Sequence, residues 1–167
     1  MIRELVVTIG GTPVGKGSLK CVGRSGRHQL VEDNPATSDW RAEIVRNVEG
    51  IVAGLDALHA EHHEPIGVEI TSTLRRPDSH YGRGSGAGIV KLSAPYYPTA
   101  LRTGDVDKLA RLVLDALQDA DVLDDDAQVV EVLSRKAYVD DPSTPDALTH
   151  PGVRIRVYPI EDPRHDD

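Results

Sequence analysis

The spacing of apolar residues divides the chain into six predicted elements. Runs with the alternation or β-branched content of strands stand at 4–9, 66–74, 129–139 and 153–158. Apolar residues at spacings of three and four predict helices at about 40–59 and 106–120. We expect Thr37, Ser38 or Asp39 to cap the first helix. The order β-α-β-α-β-β predicts a single α+β domain, with a mixed sheet and helices packed on it.

The connecting segments differ in composition from these elements. Residues 14–34 are glycine-rich and basic and lack periodicity, which predicts a long exposed loop or a hairpin. Residues 77–98 are rich in glycine and proline, and we expect a long mobile loop there, of a length at which loops are usually functional or disordered. The domain is expected to span residues 1–158, and residues 159–167 are expected to form a disordered acidic tail.

Composition excludes several classes of protein. The only cysteine, Cys21, excludes an internal disulfide and a cysteine-rich zinc site. No apolar run reaches the ~18 residues of a membrane span. The first residues lack the long apolar core of a signal peptide. We therefore expect a cytoplasmic protein that does not associate with membranes.

The net charge of −8 is unevenly distributed along the chain. Residues 104–126 contain eight aspartates against two basic side chains. Basic residues dominate 1–31 and 75–102, two stretches that precede this acidic one. A nuclease needs cations to bind phosphates and carboxylates to bind metal. Ordinary surface charge would give the same distribution, so charge alone does not decide between these readings.

Two short motifs suggest other chemistry but are incomplete. Residues 10–16, GGTPVGK, match the spacing of a phosphate-binding loop, but Gly17 stands where such a loop has serine or threonine. The sequence after it has no helical period. Residues 59–63, HAEHH, lack the HExxH order of zinc proteases and the downstream cysteines of zinc deaminases. A solvated helix end accounts for this second motif.

Two acidic clusters carry the most specific signal. Asp105 and Asp107 stand where a helix is predicted to begin, and residues 124–126, DDD, lead into the strand at 129–139. Capping of the helix explains the first pair but not the second cluster. If helix and strand pack side by side, we expect both clusters to meet at one end of the sheet. Oxygen-only ligands would indicate magnesium, and Arg111, one turn after Asp107, could reach a phosphate.

These residues resemble the RusA family of Holliday junction resolvases. The family pattern is similar to DxDNLxK, then DAL, then DDAQV before a strand. The chain reads DVDKLAR at 105–111, DAL at 115–117 and DDAQV at 125–129, without gaps. A family lysine eight residues after the glutamine matches Lys136. The opening strand followed by Gly11-Thr12-Pro13 is also similar to the family. The resemblance covers most of residues 4–139.

The resemblance implies a homodimeric, magnesium-dependent endonuclease that resolves four-way DNA junctions by paired nicks in opposed strands. It implies that Asp105, Asp107 and Asp126 hold Mg²⁺. Two departures from the family pattern are Lys108 for asparagine and Arg111 for lysine, and we assign Arg111 an electrostatic role at the scissile phosphate. The alternative is a catalytically inactive protein of the same fold that binds branched DNA. The basic residues expected to bind DNA are Lys16, Lys20, Arg24, Arg27, Arg83, Lys91 and Lys136.

Overall fold

A computed structural model describes residues 4–17, 19–22, 29–32, 35–53, 64–100, 103–139, 141–161 and 163. Its strands are β1 (Leu5–Gly10), β2 (Leu19–Val22), β3 (Gln29–Glu32), β4 (Ile66–Leu74), β5 (Val129–Tyr138) and β6 (Gly152–Pro159). Its helices are α1 (Pro35–Val52) and α2 (Val106–Asp119).

Four strands form the main sheet, in the order β1-β6-β4-β5. Strand β6 pairs antiparallel with both β1 and β4, whereas β4 and β5 are parallel. The sheet is therefore mixed, and the predicted α+β class is confirmed. Helix α2 lies in the connection between the parallel strands β4 and β5 and packs against both. A helix in this connection runs antiparallel to the two strands that it joins.

Both helices pack on one face of the sheet, where alternate strand residues are apolar. This face carries Val7 and Ile9 of β1, Ile70 of β4 and Ile155 of β6, all nearly inaccessible to solvent. Helix α2 buries the stripe that its sequence predicts: Leu109, Leu112, Val113, Ala116 and Leu117. Because phenylalanine is absent, branched aliphatic side chains fill almost all of this core.

The boundaries of several elements differ from those predicted. The segment 14–34 contains an antiparallel hairpin of β2 and β3, one of the two structures predicted for it, although the six-element order omitted these two strands. Helix α1 begins at Pro35, before the predicted caps, because proline already has the backbone angle of a first helical residue. Its predicted end lies in 54–63, outside the described residues. Strand β6 extends to Pro159, and the amide of Ile160 donates to the Pro65 carbonyl at 2.8 Å, so the start of the expected tail is held.

The long segment after β4 has a defined path. It contains two 3₁₀ turns, Asp78–His80 and Gly84–Gly86, and isolated bridges such as Tyr81 to Val90. The hydroxyl of Tyr96 donates to Asp141 at 3.0 Å, which fastens the segment to the chain after β5. No helix among the described residues is long and apolar enough to cross a membrane.

Asp141 predicts a specific pH dependence of stability. Burial alone would raise its pKa, but bonds from Thr144, Ser143 and Tyr96 outweigh burial and lower the pKa from 3.8 to about 2. A lowered pKa gives stabilisation that is complete above about pH 4 and is lost as the pH falls towards 2. We expect Asp141→Asn to lower the free energy of unfolding by on the order of 2 kcal/mol at pH 7, and by much less near pH 2.

Urea denaturation of both proteins across this pH range measures the difference. The matched control is Asp78→Asn, because Asp78 is exposed and paired only with exposed Arg75, a pair that contributes little. A difference between wild type and Asp141→Asn that stays constant from pH 7 to pH 2 would contradict the prediction.

Candidate active site

A sharp turn presents the first acidic pair at the start of α2. Gly104 has a φ of +72°, a conformation that favours glycine, and it turns the chain into the helix. Asp105 occupies the N-cap position with extended backbone, yet its side chain makes no capping hydrogen bond. Asp107 follows in the first turn, exposed, with no ionic or hydrogen-bond partner among the described residues. Both carboxylates are thus accessible from solvent.

Lys108, which departs from the family pattern, pairs with the first of these carboxylates. Its ammonium lies 3.0 Å from Asp105 Oδ2. The hydrogen bond that Lys108 donates to Asp105, and then the charge of Asp105, raise the pKa of Lys108, with Asp107 adding a smaller contribution. Lys108 therefore stays protonated and offsets part of the charge of the pair.

Lys136 of β5 holds the turn that precedes Asp105. Its ammonium donates to the Gly104 carbonyl at 2.8 Å and to Thr103 Oγ1 at 3.2 Å. This side chain was expected to contact DNA, which stays a prediction; within the chain its ammonium binds the protein. Lys136 and Thr103 belong to the support of Asp105, a role that their separation of 33 residues concealed in the sequence.

Asp126 lies at the opposite end of α2. It begins the 3₁₀ turn Asp126–Gln128, which leads directly into β5. Asp125 caps this turn, accepting from the Ala127 amide at 2.8 Å, and the Gln128 side chain accepts from the Asp125 amide at 3.2 Å. Asp126 itself is exposed and has no partner among the described residues. The capping bonds fix the backbone around a free carboxylate.

The two acidic clusters do not meet within one chain. Helix α2 has 14 residues, so at ~1.5 Å per residue its ends lie about 20 Å apart. Strand β5 gives a similar separation, since seven residue steps of ~3.3 Å lead from its start to Lys136, beside Gly104. No group of three histidine, cysteine, aspartate or glutamate side chains among the described residues could together hold a metal ion. The expectation that both clusters share one end of the sheet is wrong for a single chain.

Arg111 shares the exposed face of Asp107 on α2. The two positions are four residues apart, so they are neighbours on the helix surface. The guanidinium of Arg111 has no partner among the described residues. Asp115, which could have paired with it one turn later, instead binds Lys16 at 2.6 Å and approaches Arg41 at 3.9 Å. Arg111 is thus an available cation beside an available carboxylate.

The other basic residues expected to bind DNA have varied surroundings. The pair with Asp115 ties Lys16 to α2, and the amide of Lys16 also donates to the Lys108 carbonyl at 3.0 Å. Lys91 donates to the Ser79 carbonyl at 2.8 Å, and Arg83 is exposed without a partner among the described residues. Lys20 lies on β2, while Arg24 and Arg27 lie outside the described residues.

The phosphate-loop reading of residues 10–16 is wrong. Such a loop aims the amides of a following helix at phosphate, but the strand β2 follows here. The Lys16 ammonium, which would bind phosphate, is paired with Asp115. The HAEHH motif lies outside the described residues.

Comparison with known protein families assigns the class of this protein. The sequence matches the family described as Endodeoxyribonuclease RusA over residues 11–145. The chain therefore belongs to the RusA family of endodeoxyribonucleases. No curated protein matches it closely enough to be reported as a relative.

The support of Asp105 gives a prediction about local stability. Lys136→Met removes the bond to the Gly104 carbonyl while retaining an unbranched side chain, and a bond from a charged donor is worth about 1–3 kcal/mol. We expect faster hydrogen exchange at the amides of residues 104–107, measured by mass spectrometry. Lys91→Met is the control, because Lys91 also donates to a carbonyl, but to that of Ser79 and not to the turn at Gly104. Equal hydrogen exchange at residues 104–107 in wild type and in Lys136→Met would show that Lys136 does not stabilise the turn before Asp105.

Proposed function

We propose that the protein is a magnesium-dependent, homodimeric Holliday junction resolvase that acts in the cytoplasm. One observation carries the proposal: in a chain of the RusA family, solvent-exposed carboxylates at both ends of α2 stand at the motif positions Asp105, Asp107 and Asp126. Asp105 is paired with Lys108, and Asp107 has no salt bridge among the described residues, so a bound cation would relieve the repulsion that remains between these two carboxylates.

The donor chemistry fits magnesium. Asp105 and Asp107 offer only oxygen ligands on a solvent-facing surface, and Mg²⁺ prefers a few carboxylates together with retained waters. Bound there, magnesium would supply charge neutralisation at the scissile phosphate and a water of lowered pKa. The family resemblance assigns three carboxylates to the metal, but only two stand at this end of α2, and Asp126 of the same chain is about 20 Å away. The third carboxylate must come from elsewhere.

Strand β5 offers a surface at which a second copy of the chain could bind and supply the third carboxylate. Strand β5 is an edge of the sheet, and Val130, Val132 and Leu133 on it are 62%, 44% and 39% exposed. An exposed apolar edge strand is a template for pairing with another chain. Two-fold symmetry pairs identical edges antiparallel, as is usual in soluble dimers.

Antiparallel pairing of two β5 strands brings opposite ends together. If the pairing centres on the exposed residues 130–133, position 126 of one subunit falls opposite position 137 of the other. Position 137 adjoins Lys136, which binds the turn before Asp105. Asp126 of the partner subunit would then complete the set begun by Asp105 and Asp107. We propose two such shared sites per dimer.

The chain's own residues supply the remaining functions. Arg111 lies one turn from Asp107 with a free guanidinium, which can stabilise negative charge that develops on the scissile phosphate. Lys108 neutralises Asp105 while no cation is bound and can turn towards a phosphate when one is. Exposed cations such as Arg83 would contact the DNA backbone and position it without reading sequence.

A second candidate is an inactive protein that binds branched DNA. It is favoured by the absence of a three-ligand group among the described residues of the single chain. The first test therefore separates binding from cleavage. We expect wild type with Mg²⁺ to nick a synthetic four-way junction in two opposed strands. We expect Asp107→Asn to lose at least about 100-fold in cleavage while still binding, because the amide keeps the shape but not the charge.

Gel shift and single-turnover cleavage on the same junction give both measurements. Asp119→Asn is the control, since Asp119 is also an α2 carboxylate but pairs with Arg41 away from the acidic pair. A wild type that shifts the junction without cutting it at any Mg²⁺ concentration would support the inactive binder.

A mixing experiment tests the shared site. Asp107→Asn and Asp126→Asn homodimers should each be inactive. In a heterodimer of the two, one site combines intact Asp105 and Asp107 with intact Asp126 of the partner subunit, and the other site carries both lesions. We expect the mixed dimers to regain nicking of one strand per junction. If each site were built from one chain, every site in the mixture would carry a lesion and no activity would return.

A further inference from the structure

The segment 78–98, here called the branch loop, is fixed at both ends to the sheet. At its start, the ring of His80 packs edge-on against Tyr138 of β5, with ring centroids 5.9 Å apart. At its end, the Arg76 guanidinium donates to the carbonyls of Pro95 and Tyr96 while lying 4.0 Å from the centre of the Tyr138 ring. These contacts make a loop of defined shape rather than a free tether.

The middle of the branch loop closes on itself through backbone bonds. The Gly82 amide donates to the Ile89 carbonyl at 2.8 Å, and the Lys91 amide donates to the His80 carbonyl at 2.8 Å. An added Cβ at Gly82 would lie 2.4 Å from the Gly86 carbonyl oxygen, so this close approach requires glycine. The backbone therefore satisfies its own hydrogen bonds without help from the core.

This fastened loop points large apolar side chains into solvent. Leu92 is fully exposed, Ile89 is 66% exposed, and Tyr96 and Tyr97 are 51% and 55% exposed. The two tyrosine rings stack edge to face at 4.9 Å, and the bond to Asp141 braces the first of them. Several exposed large apolar side chains on one ordered loop indicate an interaction surface.

The charge of the branch loop and its position beside the acidic pair indicate which ligand it binds. From residue 75 to residue 100 the chain carries Arg75, Arg76, Arg83 and Lys91 against the single acid Asp78, so it attracts a polyanion. The loop also adjoins the acidic pair, because the Thr103 hydroxyl lies 2.9 Å from the Pro98 carbonyl and Lys136 joins Thr103 to Gly104. DNA held at Asp105 and Asp107 would therefore pass close to the branch loop.

We propose that Ile89, Leu92 and Tyr97 contact unstacked bases at the branch point of DNA and supply preference for branched DNA over duplex. Aromatic rings stack with any base, and apolar side chains insert at disrupted base steps. A duplex buries its base faces, whereas a branch point can expose them. This inference rests on the proposed function and adds the part of the substrate that the loop recognises.

The test compares binding of a four-way junction and of a duplex with the same arm sequence. We expect Leu92→Ser with Tyr97→Ser to weaken junction binding about tenfold or more, since stacking contributes ~1–3 kcal/mol per base, and to leave duplex binding unchanged. The slope of log affinity against log salt should stay the same, because no phosphate contact is lost. The change in fluorescence of 2-aminopurine beside the branch point should also decrease.

The matched control is Val6→Ser, which removes an apolar side chain that is 40% exposed on β1, at the other edge of the sheet. Unchanged junction preference in the loop variant would overturn the inference, as would a lower salt slope or dissociation of the dimer, which would make the loop a phosphate or subunit contact. A wild type that binds no junction would instead contradict the proposed function itself.

Discussion

The parallel pairing of β4 with β5 determines where the chemistry of this protein can occur. Parallel neighbours need a crossover, and here that crossover contains α2, which must run back along the strands. The acidic pair at the start of α2 and Asp126 at the start of β5 are therefore held about 20 Å apart. No side-chain movement closes such a gap, because both backbones belong to the rigid core.

The two ends of the β4-α2-β5 unit differ in what their side chains hold in place. At the carboxyl end of β5, Lys136 holds the turn before Asp105, while Tyr138 contacts His80 of the branch loop and Arg76, which precedes that loop. One strand end thus supports both the acidic pair and the loop beside it. At the amino end, the capping bonds of Asp125 fix only the backbone and leave Asp126 free.

Sequence patterns predicted the parts governed by local physics. The bounds of β4 and the buried stripe of α2 followed from periodicity, and the RusA resemblance is confirmed by the family match. The sequence pattern did not decide between a loop and a hairpin at β2 and β3, because these two strands are short and lie among glycines. The support of Asp105 by Lys136 and the separation of the acidic clusters depend on sheet order, which periodicity does not contain.

A site divided between subunits would have a consequence for the reaction. The proposed pairing of β5 edges makes each dimer carry two equivalent sites related by the two-fold axis. A monomer would hold only two of the three carboxylates at either site, so it would bind metal weakly and cut poorly. Cleavage would then require the same symmetric assembly that presents two sites to two opposed strands. In this arrangement, the distance within α2 that prevents a complete site in one chain protects DNA from unpaired nicks by isolated subunits.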